Sequence, residues 1–478
     1  MKRTKLICTI GPATRDADSI RKLIKEGMNI ARVNFSHGSH ELHRGTFKLI
    51  KQIREELKLP LAIMLDTKGP EIRVEVFEHG EVTLNEGDEF VLYSESHPGD
   101  AKGVSITYQN LAEDISINDR IVLDDGNIEM TVVGIRGKDI VCRVVFGGVL
   151  KDRKSLNIPC KAISMPYLKD VDRSDLLLGI ENDVDFIAAS FVRSAQDVVD
   201  LQNFLDYNGG HEIKIIAKIE NHEGIANFDQ ILQAADGIMV ARGDMGVEID
   251  YERLPGLQKQ FIKKCYSAGK MVITATQMLE SMISNPKPTR AEITDVANAV
   301  FDGTSAVMLS GETAVGRYPF LAVRAMSRIV TQAESDAFAM QVFKGITYQN
   351  NDEITSAISD AACTTARDVN AKAIIALTKS GHTARRISKY RPENIIIAAT
   401  PNLKTFHQLS LSWGVYPVLS RSMKSSDELF IHAIDCAKQL GLVEENDIVV
   451  IVAGIPIDVS GNTNILKVEI VGHRGRKK

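Results

Sequence analysis

Residues 214 to 221 read Lys-Ile-Ile-Ala-Lys-Ile-Glu-Asn, and residues 238 to 246 read Ile-Met-Val-Ala-Arg-Gly-Asp-Met-Gly. Each is an apolar, strand-like run that ends abruptly in charge. The first delivers Lys218 and Glu220, the second Arg242 and Asp244. Alternate residues of a strand share a face, so Lys218 and Glu220 project together. If both strands end at one rim, two carboxylates and two cations converge there. Such a set suits a hard divalent metal and an anionic substrate. Taken singly, either segment could equally be a pair of surface ion pairs.

The rest of the chain must supply that rim. It has 478 residues, enough for two to four domains, with ordinary apolar and charged fractions. A formal net charge of -5 gives no whole-chain electrostatic case for binding nucleic acid or a membrane surface. The six cysteines are scattered with no close pair, which points to free thiols in a reducing compartment and against a zinc site. The apolar run before Gly11 is too short for a signal peptide, and no segment approaches a membrane span, so a cytoplasmic protein is expected.

Eight short apolar runs, each closing on polar or glycine residues and followed by an amphipathic stretch, occupy 5–12, 29–37, 61–69, 184–192, 213–221, 237–244, 271–278 and 306–313. Continuous apolar strands separated by helix-period segments indicate a parallel sheet buried on both faces. Eight of them point to a closed (β/α)8 TIM barrel, an α/β fold whose site lies at the C-terminal strand ends. No Gly-x-Gly-x-x-Gly follows the first run to favour an open dinucleotide-binding sheet. Between the third and fourth runs, alternating stretches at 81–84, 89–93, 119–123 and 128–133, with turns at Glu86-Gly87, Asp125-Gly126 and Arg136-Gly137, predict an inserted small β domain. It leaves from the rim of the site, as a lid would. A helix follows Pro319 to about residue 341. Apolar runs at 373–377, 395–399, 415–419, 448–453 and 468–471 then predict a separate α/β domain. The expected division is 1–69 with 165–344 for the barrel, 70–164 for the insert and 345–478 for the C-terminal domain. The closing Gly-His-Arg-Gly-Arg-Lys-Lys is read as a solvated basic tail.

The polar residues that close the runs make the strongest functional case. The second gives Arg32, Asn34, Ser36 and His37; the third gives Asp66, Thr67, Lys68, Glu71 and Arg73. Lys218, Glu220, Arg242, Gly243 and Asp244 close the fifth and sixth, Thr274, Thr276 and Gln277 the seventh, and Ser310, Glu312 and Thr313 the eighth. Any barrel needs polar strand ends. Here charged residues dominate several, and packed together they are costly unless metal ions and anionic ligands complete the balance. Phosphoryl or carboxylate chemistry on an acidic small molecule follows.

Several of these segments together resemble the signatures of the pyruvate kinase family, nearly end to end and in the family's order. They are Lys5-Leu-Ile-Cys-Thr-Ile-Gly-Pro12, Arg32-Val-Asn-Phe-Ser-His-Gly38, Leu65-Asp-Thr-Lys-Gly-Pro-Glu-Ile-Arg73, the stretch around Lys218, Ala241-Arg-Gly-Asp-Met-Gly246, Thr274-Ala-Thr-Gln-Met-Leu-Glu-Ser281, Pro288-Thr-Arg-Ala-Glu292 and Met308-Leu-Ser-Gly-Glu-Thr313. The resemblance implies phosphoryl transfer from phosphoenolpyruvate to ADP in a TIM barrel with a β-barrel lid and a C-terminal regulatory domain, usually as a homotetramer. By position it gives Glu220 and Asp244 to a Mg2+ or Mn2+ ion, and Lys218 to the charge on the phosphoryl group and enolate. It gives Arg32 to the phosphate, and Gly243, Asp244 and Thr276 to the substrate carboxylate. Asn34, Ser36, Asp66 and Thr67 look like the K+ ligands, and Asn34, His37, Arg73 and the lid's Lys154 the ADP/ATP contacts. A water near Thr276 and Ser310 would protonate the enolate. Arg242, with no substrate contact carried over, is read as a partner that orients the site.

In this family an acidic residue at Glu71 goes with K+ dependence; a plain ion pair with Arg73 is the alternative role. Thr378, Lys379, Ser380, Gly381, His382 and Thr383, before a helix expected at 384–390, resemble the loop that binds a phosphorylated allosteric effector. A strand–turn–helix junction presents N–H groups to a phosphate. The segment 454–464 resembles the loop that closes over the effector, where Asp458 disfavours a doubly phosphorylated ligand. The lid hinges Leu156-Asn-Ile-Pro-Cys160 and Ser164-Met-Pro-Tyr-Leu168 depart from the family's Asn-Leu-Pro-Gly and Leu-Pro-x-Leu, which bears on lid mobility and on Lys154. Two rivals share parts of this set. An aldolase or lyase acting on a metal-bound enolate needs no nucleotide-contacting lid, and a catalytically silent effector-binding protein would not need Lys218, Glu220 and Asp244.

Overall fold

The computed structural model describes residues 2–343, 354–421, 425–455 and 462–473. The polar segment near 348–353, Asp458 with most of the 454–464 loop, and the basic residues 474–478 lie outside the described residues. Eight parallel strands close into a barrel: Lys5–Thr9, Ile30–Asn34, Ala62–Asp66, Phe186–Ala189, Lys214–Ile219, Gly237–Ala241, Met271–Ala275 and Ala306–Leu309. They coincide with the eight apolar runs.

The two-residue period of a strand divides their side chains into two cores. Ile7, Ile30, Met64, Phe186, Ile216, Met239, Ile273 and Met308 fill the interior. Their sequence neighbours, such as Leu6, Ala31, Leu65, Ile187, Ile215 and Ile238, face out and pack under the helices. Both faces are therefore dry, which is why the runs are continuously apolar.

The residues between the third and fourth barrel strands carry a seven-stranded sheet, in the order Ile72–Arg73, Ser155–Asn157, Arg120–Leu123, Ile128–Arg136, Asp139–Phe146, Glu89–Tyr93, Gly103–Ser105. A bridge between Val74 and Ile106 joins the two edges, so the small sheet closes on itself. It has its own core, including Phe90, Leu123, Met130 and Ile140. The expected strand at 128–133 runs on to Arg136. The partner Asp139–Phe146, hairpinned to it around Gly137, was not anticipated.

The C-terminal region forms a five-stranded sheet in the order Val415–Leu419, Ile395–Thr400, Ala373–Leu377, Ile448–Ala453, Ile465–Ile470, with only the last strand antiparallel. Its helix expected at 384–390 instead spans His382–Lys389, with Gly381 as the left-handed N-cap. His382 and Thr383 thus belong to the first helical turn and not to the loop.

The barrel floor is welded to this C-terminal unit. Leu411 joins the interior barrel core. Lys404 Nζ donates to the carbonyls of Asp183 and Val184 at 3.0 and 2.7 Å. Beside it the buried Asp185 carboxylate accepts from Arg54 Nη1 at 2.8 Å and from the Ile63 N–H at 2.7 Å. Removing one partner of such a pair strands the other charge in a dry site. Asp185→Ala should therefore cost about 3–5 kcal/mol. The check is thermal unfolding followed by circular dichroism; an unshifted barrel transition would show that Arg54 is rehydrated without penalty.

Candidate active site

The interior-facing set continues past the apolar core to the C-terminal strand ends, and there it becomes polar. Ile216 is followed on the same face by Lys218 and Glu220, Ile30 by Arg32 and Asn34, Met64 by Asp66, and Ala188 by Ser190. Register does the rest, since Asn34 pairs with Asp66 and Ala188 with Asp66 across neighbouring strands.

Lys218 Nζ lies 3.0 Å from Asp66 Oδ1, 3.0 Å from Glu220 Oε1 and 2.7 Å from Ser190 Oγ. Arg32 Nε holds the other Asp66 oxygen at 2.6 Å, and its Nη1 donates to Thr9 Oγ1 at 2.8 Å. Asp66 and Glu220 are 1 % exposed and Lys218 8 %. Burial pushes the Lys218 ammonium towards neutrality, but the Asp66 and Glu220 carboxylates outweigh it and its pKa is raised. Burial likewise pushes the Asp66 carboxyl up, and Arg32 with Lys218 more than reverse this.

Glu220 goes the other way. Burial lifts its pKa to about 8; Lys218 pulls it back only in part, and the nearby Asp244 carboxylate adds to the rise. Asp66, Glu220 and Asp244 outnumber Lys218 and Arg32 by one group, and the cluster relieves that crowding by pushing Glu220 towards its neutral acid. Among the described residues no three His, Cys, Asp or Glu side chains gather as a metal cage. Two hard carboxylates, one of them pushed towards its neutral acid for want of a compensating cation, fit a Mg2+-type ion, which takes few protein ligands and completes its shell with water and substrate oxygens.

Ser190 and its neighbour were not singled out from the sequence. Ser190 Oγ also contacts Asp66 Oδ1 at 3.2 Å and donates to the Thr67 carbonyl at 2.7 Å, while the Phe191 N–H donates to Glu220 Oε2 at 2.6 Å. The signal was available: Ser190 closes the fourth apolar run two positions after the interior Ala188.

On the opposite side, Gly243 N–H donates to Thr276 Oγ1 at 2.8 Å. Thr276 and Gln277 have φ of 65° and 53°. Left-handed backbone is costly for a β-branched residue, about 1–3 kcal/mol, and persists only where neighbours impose it. Arg242 imposes it: its Nη2 donates to the Thr276 and Gln277 carbonyls at 2.7 and 3.2 Å, and its Nη1 is anchored on Asp295 at 2.7 Å. Arg242 is 7 % exposed, so it orients the site from below. Glu312 works similarly from the eighth strand, accepting from the Leu279 and Ser310 N–H groups at 3.1 and 2.8 Å.

Asn34, Ser36, Asp66 and Thr67 meet at the adjoining ends of the second and third strands. Asn34 Oδ1 accepts from the Ser36 N–H at 3.1 Å, and Thr67 Oγ1 accepts from the Ser190 N–H at 3.1 Å. Glu71 and Arg73 form a two-pronged bridge, both contacts at 2.9 Å, as the plainer alternative for Glu71 had it. Glu71 nonetheless belongs to the site's field, since burial raises its pKa and Asp244 adds to that rise. Arg73 Nη1 donates to the Arg153 carbonyl at 2.7 Å, and Lys154 Nζ pairs with Asp124 at 2.6 Å, so both cations rest on partners in the insert. His37 is exposed at the rim.

Far from this cluster, Lys379 and Ser380 are exposed at the end of the strand Ala373–Leu377, while Thr378 is tied to the Ala399 carbonyl at 3.0 Å. Thr383 Oγ1 lies 2.8 Å from Thr463 Oγ1, which brings the end of the 454–464 loop against the first turn of the following helix.

Residues 1–323 match the family model described as "Pyruvate kinase, barrel domain", and residues 356–469 that described as "Pyruvate kinase, alpha/beta domain". The pyruvate kinase of Clostridium acetobutylicum is 46 % identical over 476 residues, covering 98 % of this chain and 100 % of that protein. That of Geobacillus stearothermophilus is 46 % identical over 472 residues, 98 % of this chain and 80 % of its own length. That of Clostridium perfringens is also 46 % identical over 472 residues, 98 % of this chain and 100 % of its own. With both regions and nearly the whole length matched, the chain belongs to the pyruvate kinase family.

Proposed function

We propose that this enzyme transfers the phosphoryl group of phosphoenolpyruvate to ADP, giving pyruvate and ATP, and that it needs Mg2+ (or Mn2+) and K+. One observation carries this: Lys218, held in its charged form between Asp66 and Glu220 and beside Arg32, in a strand-end cluster that also feels the Asp244 carboxylate. A β-phosphate oxygen of ADP attacks the phosphorus, the bond to the enol oxygen breaks, and its electron pair stays on that oxygen. The enolate then takes a proton at carbon.

Lys218 neutralises the charge that develops on the phosphoryl oxygens and the enolate. Its raised pKa suits that electrostatic role and argues against a role as proton donor. Arg32 binds the phosphate. Thr276 Oγ and the Gly243 and Asp244 N–H groups receive the carboxylate, which would take over the N–H that Thr276 now accepts. Glu220 and Asp244 would hold the divalent ion, which when bound supplies a positive charge for the phosphate and enolate oxygens. Asn34, Ser36, Asp66 and Thr67 would ligate K+ through oxygen. Asn34, His37, Arg73 and Lys154 would face the nucleotide, with residues 70–164 acting as the lid. A water near Thr276 and Ser310 would deliver the proton.

The same proposal includes a homotetramer in the cytoplasm and a phosphorylated effector at Thr378 to Thr383. No helix of the described residues is long and apolar enough to cross a membrane.

A lactate-dehydrogenase-coupled assay should show pyruvate only when phosphoenolpyruvate, ADP, Mg2+ and K+ are all present; no ADP-dependent product would overturn the assignment. In it, Lys218→Ala should lower kcat by about 10^2–10^3 with a much smaller change in KM, because its charge acts on the transition state. A pure KM effect would refute that role. Glu71→Lys should bring the ratio of rates with and without K+ towards one; unchanged K+ activation would sink the proposed link.

A further inference from the structure

The small helix Arg242–Glu248 is held at both ends by different parts of the molecule. Its first turn carries Gly243 and Asp244, and Arg242 pins it to the Thr276–Gln277 backbone and Asp295. Its last residue, Glu248, is 6 % exposed, although it is a carboxylate with no basic side chain as a hydrogen-bond or ion-pair partner among the described residues. Glu248 Oε1 accepts from Asn157 Nδ2 at 2.9 Å. Asn157 ends the strand Ser155–Asn157, by which the chain returns from the inserted sheet to the barrel. The backbone of His222, two residues past Glu220 in the chain, lies near enough to the Glu248 carboxylate to favour its charged form. The turn Asp124–Gly126 of the insert rests on the same helix, with Val247 facing Gly126.

Beyond Asn157 the returning chain is fastened a second time. Arg193 Nη1 donates to the Ile163 and Met165 carbonyls at 2.9 and 2.8 Å. A cavity of about 70 Å³ lies between the two fastenings, lined by Ile158, Met165, Phe191, Arg193 and Glu248 among others. Arg193 fastens the hinge to the fourth-strand side of the barrel. Glu248 is different, because it fastens the insert to the very helix that presents Gly243 and Asp244. Seven residues span about 10 Å, so a shift at one end of so short a rigid rod is felt at the other.

We propose that Glu248 is a positioning residue that couples the placement of the inserted sheet to the placement of Gly243 and Asp244, through the Asn157 hydrogen bond and the helix Arg242–Glu248. A sheet seated against the barrel holds Glu248 and sets the first turn; a sheet swung away releases Asn157 and loosens the turn. The catalytic part of this inference rests on the function proposed above, whereas the mechanical part does not.

The test uses the full-length protein and Asn157→Ala, a change on the insert that leaves Glu248 and every strand-end residue in place. Hydrogen exchange should speed up about tenfold at the amides of residues 243–245 as well as near the hinge, while the barrel-strand amides keep their protection. Faster exchange confined to the hinge would overturn the coupling. In the phosphoenolpyruvate and ADP assay, Asn157→Ala and Glu248→Ala should each lower kcat about tenfold, since small misplacements of reacting groups are costly. The double variant should be no worse than either single one, and Glu248→Gln, which keeps an acceptor for Asn157, should recover most of the loss. Multiplying effects, a Gln variant as poor as Ala, or unchanged kcat would each refute the proposal. An inactive wild-type enzyme would instead defeat the functional assignment, and the exchange experiment would still decide the coupling.

Discussion

Lys218 sits in a dry barrel mouth with Asp66 on one side and Glu220 on the other, and most of the site's geometry follows from satisfying that ammonium. Burying a charge costs several kcal/mol unless partners and hydrogen bonds compensate it. Three acceptors at the ends of three different strands provide that compensation: Asp66 from the third, Ser190 from the fourth and Glu220 from the fifth. Each partner is itself held, Asp66 by Arg32 and Glu220 by the Phe191 N–H. A one-residue register slip in any of these strands would turn its polar residue towards the helices. The closed parallel barrel is the means by which this network is held in place.

Compensation is incomplete on the carboxylate side, and that incompleteness has chemical content. Lys218 and Asp66 are both held in their charged forms, while Glu220 is pushed towards neutrality by burial and by Asp244. A site built only for stability would have dispensed with the extra carboxylate or paired it. The strained Thr276–Gln277 turn has the same character, since Arg242 spends its hydrogen bonds keeping a threonine in left-handed backbone next to Gly243. Imposed strain and a carboxylate pushed towards its neutral acid converge at the mouth of the barrel, where a bound cation and an acidic substrate would relieve both.

The barrel was legible in the sequence because strands buried on both faces leave unbroken apolar runs, and the i+2 rule put Lys218 and Glu220 on one face, which the structure shows to be the interior one. At the fourth strand end Phe191 acts through its backbone N–H, which no side-chain pattern reports. In the insert, Gly103–Ser105 and Ser155–Asn157 span only three residues each, too short to show alternation. The helix after the Thr378 turn starts two residues earlier than expected, at His382, because Gly381 supplies the left-handed cap. Pro288-Thr-Arg-Ala-Glu292 reads as a chemical signature, yet Thr289 and Glu292 form a helix capping box and Glu292 also ties down Ser281. Residue types thus revealed charge and hard oxygen donors, whereas which of them hold one another in position became visible only in three dimensions.

If Glu220 and Asp244 together hold a divalent cation, calorimetric titration of Mn2+ into the substrate-free protein should show saturable binding to the wild type and a loss in Glu220→Gln of at least the roughly ten- to hundredfold that even outer-shell changes cost at metal sites. Equal Mn2+ affinity in the two proteins would rule that site out.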